Sequence, residues 1–348
     1  MATNLSSKTL QTIFKFIDTK EERDYGTLYN CALVNRQWCN NVIPTLWKDP
    51  FYGEKSDVVI KILLSFLDND QLQQLGSIRD GLPLNENKMF DYPSFIQHLN
   101  LDFIYESLYD LYSGSIDAAN LRNVQLPNNP TLLNDIELTF TVLLKMLARK
   151  ITDVKIFYIN WKLHSCYLDE VSKGDIKNNN LKLLLQPEIS DLLKITIELR
   201  WWQTRPYKGY FVEFAKICSN LEKLVISLAN FSENQIDDAA EFIRSQRNLK
   251  VLEIFNCNSG IQKILTFSRD QALSIQAIIL YHVDFYGCEP LTSLTKCENL
   301  RHLSFRYCTY IQKEMCNPLF SANFPNLKKV EAPFTSCPEL EEWARSYF

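Results

Sequence analysis

One phrase returns down the C-terminal half of this chain and restricts what the chain can fold into. Its fullest copy is Asn248-Leu249-Lys250-Val251-Leu252-Glu253-Ile254-Phe255-Asn256-Cys257, an L-x-x-L-x-L pattern. The apolar opening residue recurs at Leu192, Leu221, Leu249, Ile275, Leu300 and Leu327, so neighbouring copies lie 29, 28, 26, 25 and 27 residues apart. That spacing is a solenoid period. Each copy is completed by an apolar pair: Ile195/Ile197, Leu224/Ile226, Leu252/Ile254, Ile278/Leu280, Leu303/Phe305 and Val330/Ala332.

Alternate residues of a strand point to opposite faces, so each copy offers one apolar row and one free row. No single repeat can bury its row alone. Stacked neighbours make a continuous core and leave a ribbon of parallel strands. Asn220, Asn248, Asn299 and Asn326 each precede an opening Leu, and Asn suits a tight turn because it tolerates the left-handed region and bonds nearby backbone. Cys257 and Cys308 each fall eight residues after the opening Leu. With these features the sequence resembles leucine-rich repeats of the cysteine-containing type, which implies an α/β solenoid, a horseshoe of parallel strands and helices. Earlier copies are weaker. Ile96-x-x-Leu99-x-Leu101 and Ile151-x-x-Val154-x-Ile156 fit the phrase, with room for a hidden repeat or an insertion between them and for an excursion near 172–180.

The first fifty residues follow a different, helical period. Leu10, Ile13, Phe14 and Ile17 share helical spacing behind a cap at Ser6 or Ser7, and a second helix is expected over 27–39 through Leu28, Cys31, Ala32, Leu33, Val34 and Trp38. A turn closed by aromatics, 40–51, ends the module. Three short elements hide only a modest share of their surface, so Leu10, Phe14, Val34 and Trp38 are expected to wait for a partner. Each would gain about 1.5–3 kcal/mol on burial.

The I-F-x-F-I helix, the run Cys31-Ala-Leu-Val-Asn-Arg-Gln-Trp38 and the closing Leu46-Trp47-Lys-Asp-Pro50-Phe51 resemble an F-box of the type found in large fungal families. That family usually has Leu-Pro where this chain has Leu5-Ser6. The resemblance implies a small α-helical F-box over 1–52 that docks a Skp-type adaptor and, through it, a cullin-RING ubiquitin ligase. Matched onto this sequence, the adaptor-binding residues are Leu5, Leu10, Ile13, Phe14, Leu33, Val34, Trp38 and Trp47. The bland reading of the same module is a helical cap on the end of the solenoid.

A helical linker over 53–94 is expected next, with one helix over 56–76 capped by Ser56 and a loop from Gly81 to Pro93. Repeats are expected over 95–335, with a helix at 132–147. A capping box at Ser232-Glu-Asn-Gln235 announces a helix on the far side of the repeats. The segment 336–348 reads as a C-terminal capping helix with Pro338 just inside it.

Composition trims the functional classes. A net charge of −4 and a pI near 5.7 argue against a general binder of nucleic acid, which needs a basic stripe. The segment after Met1 is polar and no apolar run reaches membrane-spanning length, so a soluble intracellular protein without membrane attachment is expected. In-phase Cys218, Cys257, Cys297 and Cys308 read as small buried residues rather than disulfides. His164, Cys166, His282, Cys288, Cys297, His302 and Cys308 lack the close pairing of zinc ligands, and no catalytic or phosphate-loop motif occurs. The chain is expected to be no enzyme and to need no metal or cofactor.

Function is therefore sought on the free row. Phe255, Tyr281 and Arg306 share one column, with His302 and Glu253 beside it, and aromatics with Arg are the types that anchor protein interfaces. These five are the expected contacts for a substrate protein. The cluster Arg200-Trp201-Trp202 through Tyr210-Phe211 mixes basic and aromatic residues, and is read as either a buried loop or a stacking site. Together these readings make the chain the substrate-recognition subunit of a Skp-cullin-F-box ligase; the alternative is a repeat scaffold not attached to any ligase.

Overall fold

A computed structural model describes residues 5–18, 24–51, 56–76, 89–113, 130–159, 198–201 and 210–347. The chain divides into two compact units, Met1–Val154 and Lys155–Phe348. The expected first repeats at 96–101 and 151–154 thus fall in the first unit. Residues 81–88 of the loop expected from Gly81 to Pro93, the excursion near 172–180 and the phrase Leu192/Ile195/Ile197 lie outside the described residues.

The first unit opens with three helices: α1 Ser7–Ile17, α2 Tyr25–Ala32 and α3 Arg36–Leu46. Each starts at a polar cap. Ser6 accepts from the Thr9 backbone N–H, Asp24 from that of Thr27 and Asn35 from that of Trp38. The single helix expected over 27–39 is therefore two. Asn35 is extended at φ −167 and its side chain satisfies a free backbone donor of a new helix, so the chain turns at Leu33-Val34. The expected turn over 40–51 is helical as far as Leu46, with Pro44 inside.

Two more helices follow, α4 Ser56–Leu64 and α5 Asn69–Gln74. They replace the one helix expected over 56–76. Asp68 and Gln71 form a reciprocal capping box that restarts the helix, and Gly76 ends the segment at φ +56, a conformation that glycine adopts without a Cβ penalty. A short strand, β1 His98–Asn100, and helices α6 Leu101–Ser113 and α7 Pro130–Lys150 complete the unit. Ile96, Leu99 and Leu101 are all buried, as the phrase requires.

The second unit is built on strands β2 Ile156–Ile159, β3 Glu198–Trp201, β4 Lys223–Ser227, β5 Val251–Phe255, β6 Ala277–Tyr281, β7 His302–Arg306 and β8 Lys329–Glu331. Each strand pairs in parallel with the next in chain order. Described helices between them are α8 Tyr210–Ile217, α9 Glu233–Ser245, α10 Ile261–Ile264, α11 Arg269–Ser274 and α12 Lys313–Ser321, with α13 Pro338–Arg345 closing the chain. This is a mixed α/β arrangement of solenoid-like type, an open parallel sheet whose strands add in sequence. Pro338 occupies the first turn of α13, and the Ser232–Gln235 capping box opens α9, both as expected.

Register explains why the repeat works and corrects its early copies. Leu224, Leu252, Ile278, Leu303 and Val330 stand opposite one another, all buried. Carried back, that row passes through Leu199 and Phe157. The β3 copy thus centres on Leu199, four residues beyond the expected Ile195, and the β2 copy on Phe157, not Val154. The opening residue Ile151 and the next apolar position, Val154, are buried nonetheless, so a run of apolar residues allowed more than one phase.

Asn220, Asn248, Asn299 and Asn326 are not left-handed. Two of them reach back one repeat instead: Asn299 donates to the Leu273 carbonyl at 2.8 Å and Asn326 to that of Glu298 at 3.1 Å. The side chain supplies the link that the turn was expected to supply. Cys218, Cys257, Cys297 and Cys308 are buried and unbridged, and burial pushes their thiols up to about 12. Among the described residues no helix is long and apolar enough to cross a membrane.

Candidate functional site

In the helical module, α1, α2 and α3 close over a small core of Leu10, Phe14, Leu28 and Val42. This corrects the expectation that Leu10 and Phe14 are presented to a partner. Both are fully buried, because the break at Asn35 lets α3 fold back and cover them. Leu5, Ile13 and Trp38 are partly buried against that core, and Trp38 meets the Phe14 ring edge-on at 5.8 Å. Trp47 also turns inward within its unit, 4.4 Å from the ring of Tyr92. Leu33 and Val34 stand out at 66% and 50% exposure. Phe16 and Tyr29, which the sequence reading passed over, are exposed as well. Tyr29 lies one helical turn before Leu33, so the two share a face.

The strand ribbon carries the second surface. Phe255, Tyr281 and Arg306 do stand in one column, since β5, β6 and β7 place them directly opposite each other. The Phe255 and Tyr281 rings are 5.6 Å apart. Glu253 is engaged by Lys223 at 2.8 Å. Beside the column, Glu331 accepts both hydrogen bonds of the Arg306 Nη2 group at 2.7 Å and lies 2.9 Å from His302 Nε2 and from Lys329 Nζ. Burial by itself would raise that carboxyl, but the bonds from Arg306, Lys329 and His302 outweigh it and hold it at about 2.

The row expected to be free is partly closed. Val225, Ser227 and Ser304 are buried, because longer neighbours lean across them. Ser304 sits between His302 and Arg306 and opposite Glu331, so the ion cluster closes over it. Its hydroxyl has no hydrogen-bond partner. Val225 lies opposite Glu253, beneath the bridge to Lys223.

A further exposed feature lies directly after the column on each repeat. Asn256, His282, Tyr307 and Phe334 all have left-handed backbones, with φ between 53 and 58. They occupy equivalent places, each directly after the column residues Phe255, Tyr281, Arg306 and Pro333. The ladder of backbone bonds enforces this turn: Asn256 N–H donates to the Tyr281 carbonyl, His282 N–H to that of Arg306 and Tyr307 N–H to that of Pro333. Three of the four carry rings, which stack. His282 lies on Tyr307 at 5.0 Å and 22°, and Tyr307 on Phe334 at 5.0 Å and 13°. Tyr281 meets both His282 and Tyr307 edge-on, at 4.5 and 5.3 Å, joining the ladder to the column.

Alternation along the strands does not mark this ladder, because its residues fall one place past the alternating set. The signal was present: His, Tyr and Phe recur 25 and 27 residues apart at one phase of the repeat. Tyr158 and Arg200 supply a smaller stack on the early strands, with the guanidinium 5.0 Å from the ring. Among the described residues no three His, Cys, Asp or Glu side chains are grouped to hold a metal ion. His282 is committed to Tyr307 and His302 to Glu331. No family profile matches the sequence, and no curated protein matches it significantly.

Proposed function

We propose that this chain is a recognition subunit of a Skp-cullin-F-box ubiquitin ligase, with the helical module as the F-box and the strand ribbon of leucine-rich repeats as the surface that holds the target. The observation that carries this reading is the exposure of Leu33, Val34 and Tyr29 on a module that already has a closed core. Apolar side chains left in water forfeit about 1.5–3 kcal/mol each, and Leu33-Val34 belongs to the run that resembles the F-box. An apolar patch of this kind marks an interface. The chain would supply no covalent chemistry. Its contribution would be to hold a target near the ligase's charged conjugating enzyme, a proximity effect.

Leu33 and Val34 are the adaptor contacts in this reading, with Tyr29 added from the structure. Leu5, Ile13 and Trp38 contribute their partly exposed edges, while Leu10 and Phe14 act as the core that holds the others in place. The test is co-elution of the purified chain with a purified Skp-type adaptor. Leu33→Asp with Val34→Asp should abolish it, and failure of the unaltered chain to co-elute would remove the ligase assignment. A second reading, a repeat scaffold whose N-terminal helices merely cap it, is favoured by the inward packing of Leu10, Phe14 and Trp47. It expects no adaptor binding at all.

A further inference from the structure

We infer that the stacked ridge of His282, Tyr307 and Phe334, with Tyr281 and Arg306 beside it, docks an acidic peptide segment of a partner protein that carries aromatic side chains. The inference rests on reading the repeats as a recognition surface, and it names where on them the target lies and what chemistry it brings.

Geometry selects the class of partner. The three rungs are already 5.0 Å apart and within 22° of parallel, the separation of stacked ring pairs. No base or sugar ring enters between them. Single-stranded nucleic acid needs open ring faces for its bases, and here the inner faces are covered. What the ridge shows to solvent is ring edges, together with the outer face of Phe334, which is 71% exposed. Aromatic edges carry the positive end of the ring quadrupole, so they favour carboxylates, carbonyls and the faces of other aromatic rings.

Charge points the same way. Lys223 and Glu253 cancel on the early strands. Next to the ridge, Arg306 and Lys329 converge on the single carboxylate of Glu331, leaving one positive charge in excess before His302 is counted. Arg306 is 41% exposed and Lys329 50% exposed on their side chains, so both present positive charge to an incoming acid while bonded to Glu331. Electrostatic complementarity of this kind selects partners by sign.

Backbone cost points the same way again. Bulky residues rarely accept the left-handed region, and Asn256 proves that the turn itself needs no ring. Asn tolerates that region, yet two of the next three repeats place Tyr and Phe there. Strained backbone held in place by its surroundings concentrates at functional sites.

The experiment uses the full chain and a displayed library of random short peptides. The recovered consensus should be rich in Asp, Glu and aromatic residues, and a synthetic copy should bind in fluorescence anisotropy. Tyr307→Asn with Phe334→Asn should weaken that peptide by about tenfold or more, while circular dichroism shows the chain still folded. Lys329→Glu should weaken it independently. A library that yields no peptide, a consensus that is basic or apolar only, or unchanged affinity in the Asn pair would each overturn the inference. So would an oligonucleotide that binds at the ladder in the peptide's stead. Adaptor co-elution is measured on the same preparations. Adaptor binding without peptide selection sinks the ridge alone, and peptide binding without adaptor sinks the ligase assignment alone.

Discussion

The imidazole of His282 lies face to face with the phenol of Tyr307, and both residues have φ 53. One relationship thus combines a favourable stack with an unfavourable backbone. Left-handed geometry costs a bulky residue about 1–2 kcal/mol, and an aromatic pair returns about 0.5–1.5 kcal/mol. Tyr307→Asn relieves the first and forfeits three ring contacts, with His282, Phe334 and Tyr281. Its expected net effect is a loss of about 1–2 kcal/mol, measured by urea unfolding. Phe305→Ala, two residues away and fully buried, should cost about 3–5 kcal/mol. A loss of that size in Tyr307→Asn would make the ladder a core element.

Glu331 predicts a pH dependence. Its carboxyl is held at about 2, below the 4.5 of an unperturbed Glu, although burial opposes this, because Arg306, Lys329 and His302 all bond it. A group depressed in the folded state binds its proton more readily when unfolded, so its contribution is complete above pH 4.5 and is lost as pH falls toward 2. Glu331→Gln should remove that part of the acid titration of stability. At neutral pH it should cost about 2 kcal/mol, since hydrogen bonds to a charged group are lost. Unfolding free energy measured from pH 7 down to 2.5 in both proteins checks this. Parallel curves would mean that the cluster does not act as drawn.

The break between α2 and α3 yields a third expectation. Asn35 accepts the Trp38 N–H at 3.0 Å and keeps an extended backbone. Asn35→Ala removes the cap and should destabilise the module by about 1 kcal/mol. Asn35→Asp keeps an acceptor and should be close to neutral. Equal loss in the two variants, read by thermal unfolding, would show that the side chain is held for another reason.

The repeat was legible because its signal is periodic and doubly redundant. The row through Leu224, Leu252, Ile278, Leu303 and Val330 is buried in register, and the polar residues Lys223, Glu253, Ser304 and Glu331 mark the other face although Val225 and Ile279 interrupt the alternation. Where that contrast fades, phase is lost: Ile195, Ile197 and Leu199 are all apolar at alternate places, so the sequence alone could not choose between them, and pairing with Leu224 selects Leu199. The helical module was misread for a related reason. Leu33-Val34 fits a helical face as well as a turn, and Asn35 decides the matter only through its bond to Trp38. Burial of Leu10 and Phe14 depends on α3 folding back, a tertiary event that local spacing does not encode. The column Phe255-Tyr281-Arg306 was readable from alternation. The ladder beside it depends on a left-handed turn that the ring-bearing residues themselves disfavour, so propensity argued against looking there.

The adaptor reading makes the sharpest demand on the module, because exposed and buried apolar residues must respond differently. Leu33 and Val34 contribute little to the core, so Leu33→Asp with Val34→Asp should leave the thermal midpoint nearly unchanged, within the about 0.5 kcal/mol typical of surface changes. The same pair should eliminate co-elution with the adaptor, since two carboxylates would have to enter an apolar contact without partners. Phe14→Ala should do the reverse in order of cause. It opens a cavity in a core of four buried residues, costs about 3–5 kcal/mol, and weakens adaptor binding only as far as it unfolds the helices. Circular dichroism beside quantitative co-elution separates the two. Folded Leu33→Asp/Val34→Asp protein that still holds the adaptor would place the docking face elsewhere on the module, with Phe16 the next residue to change.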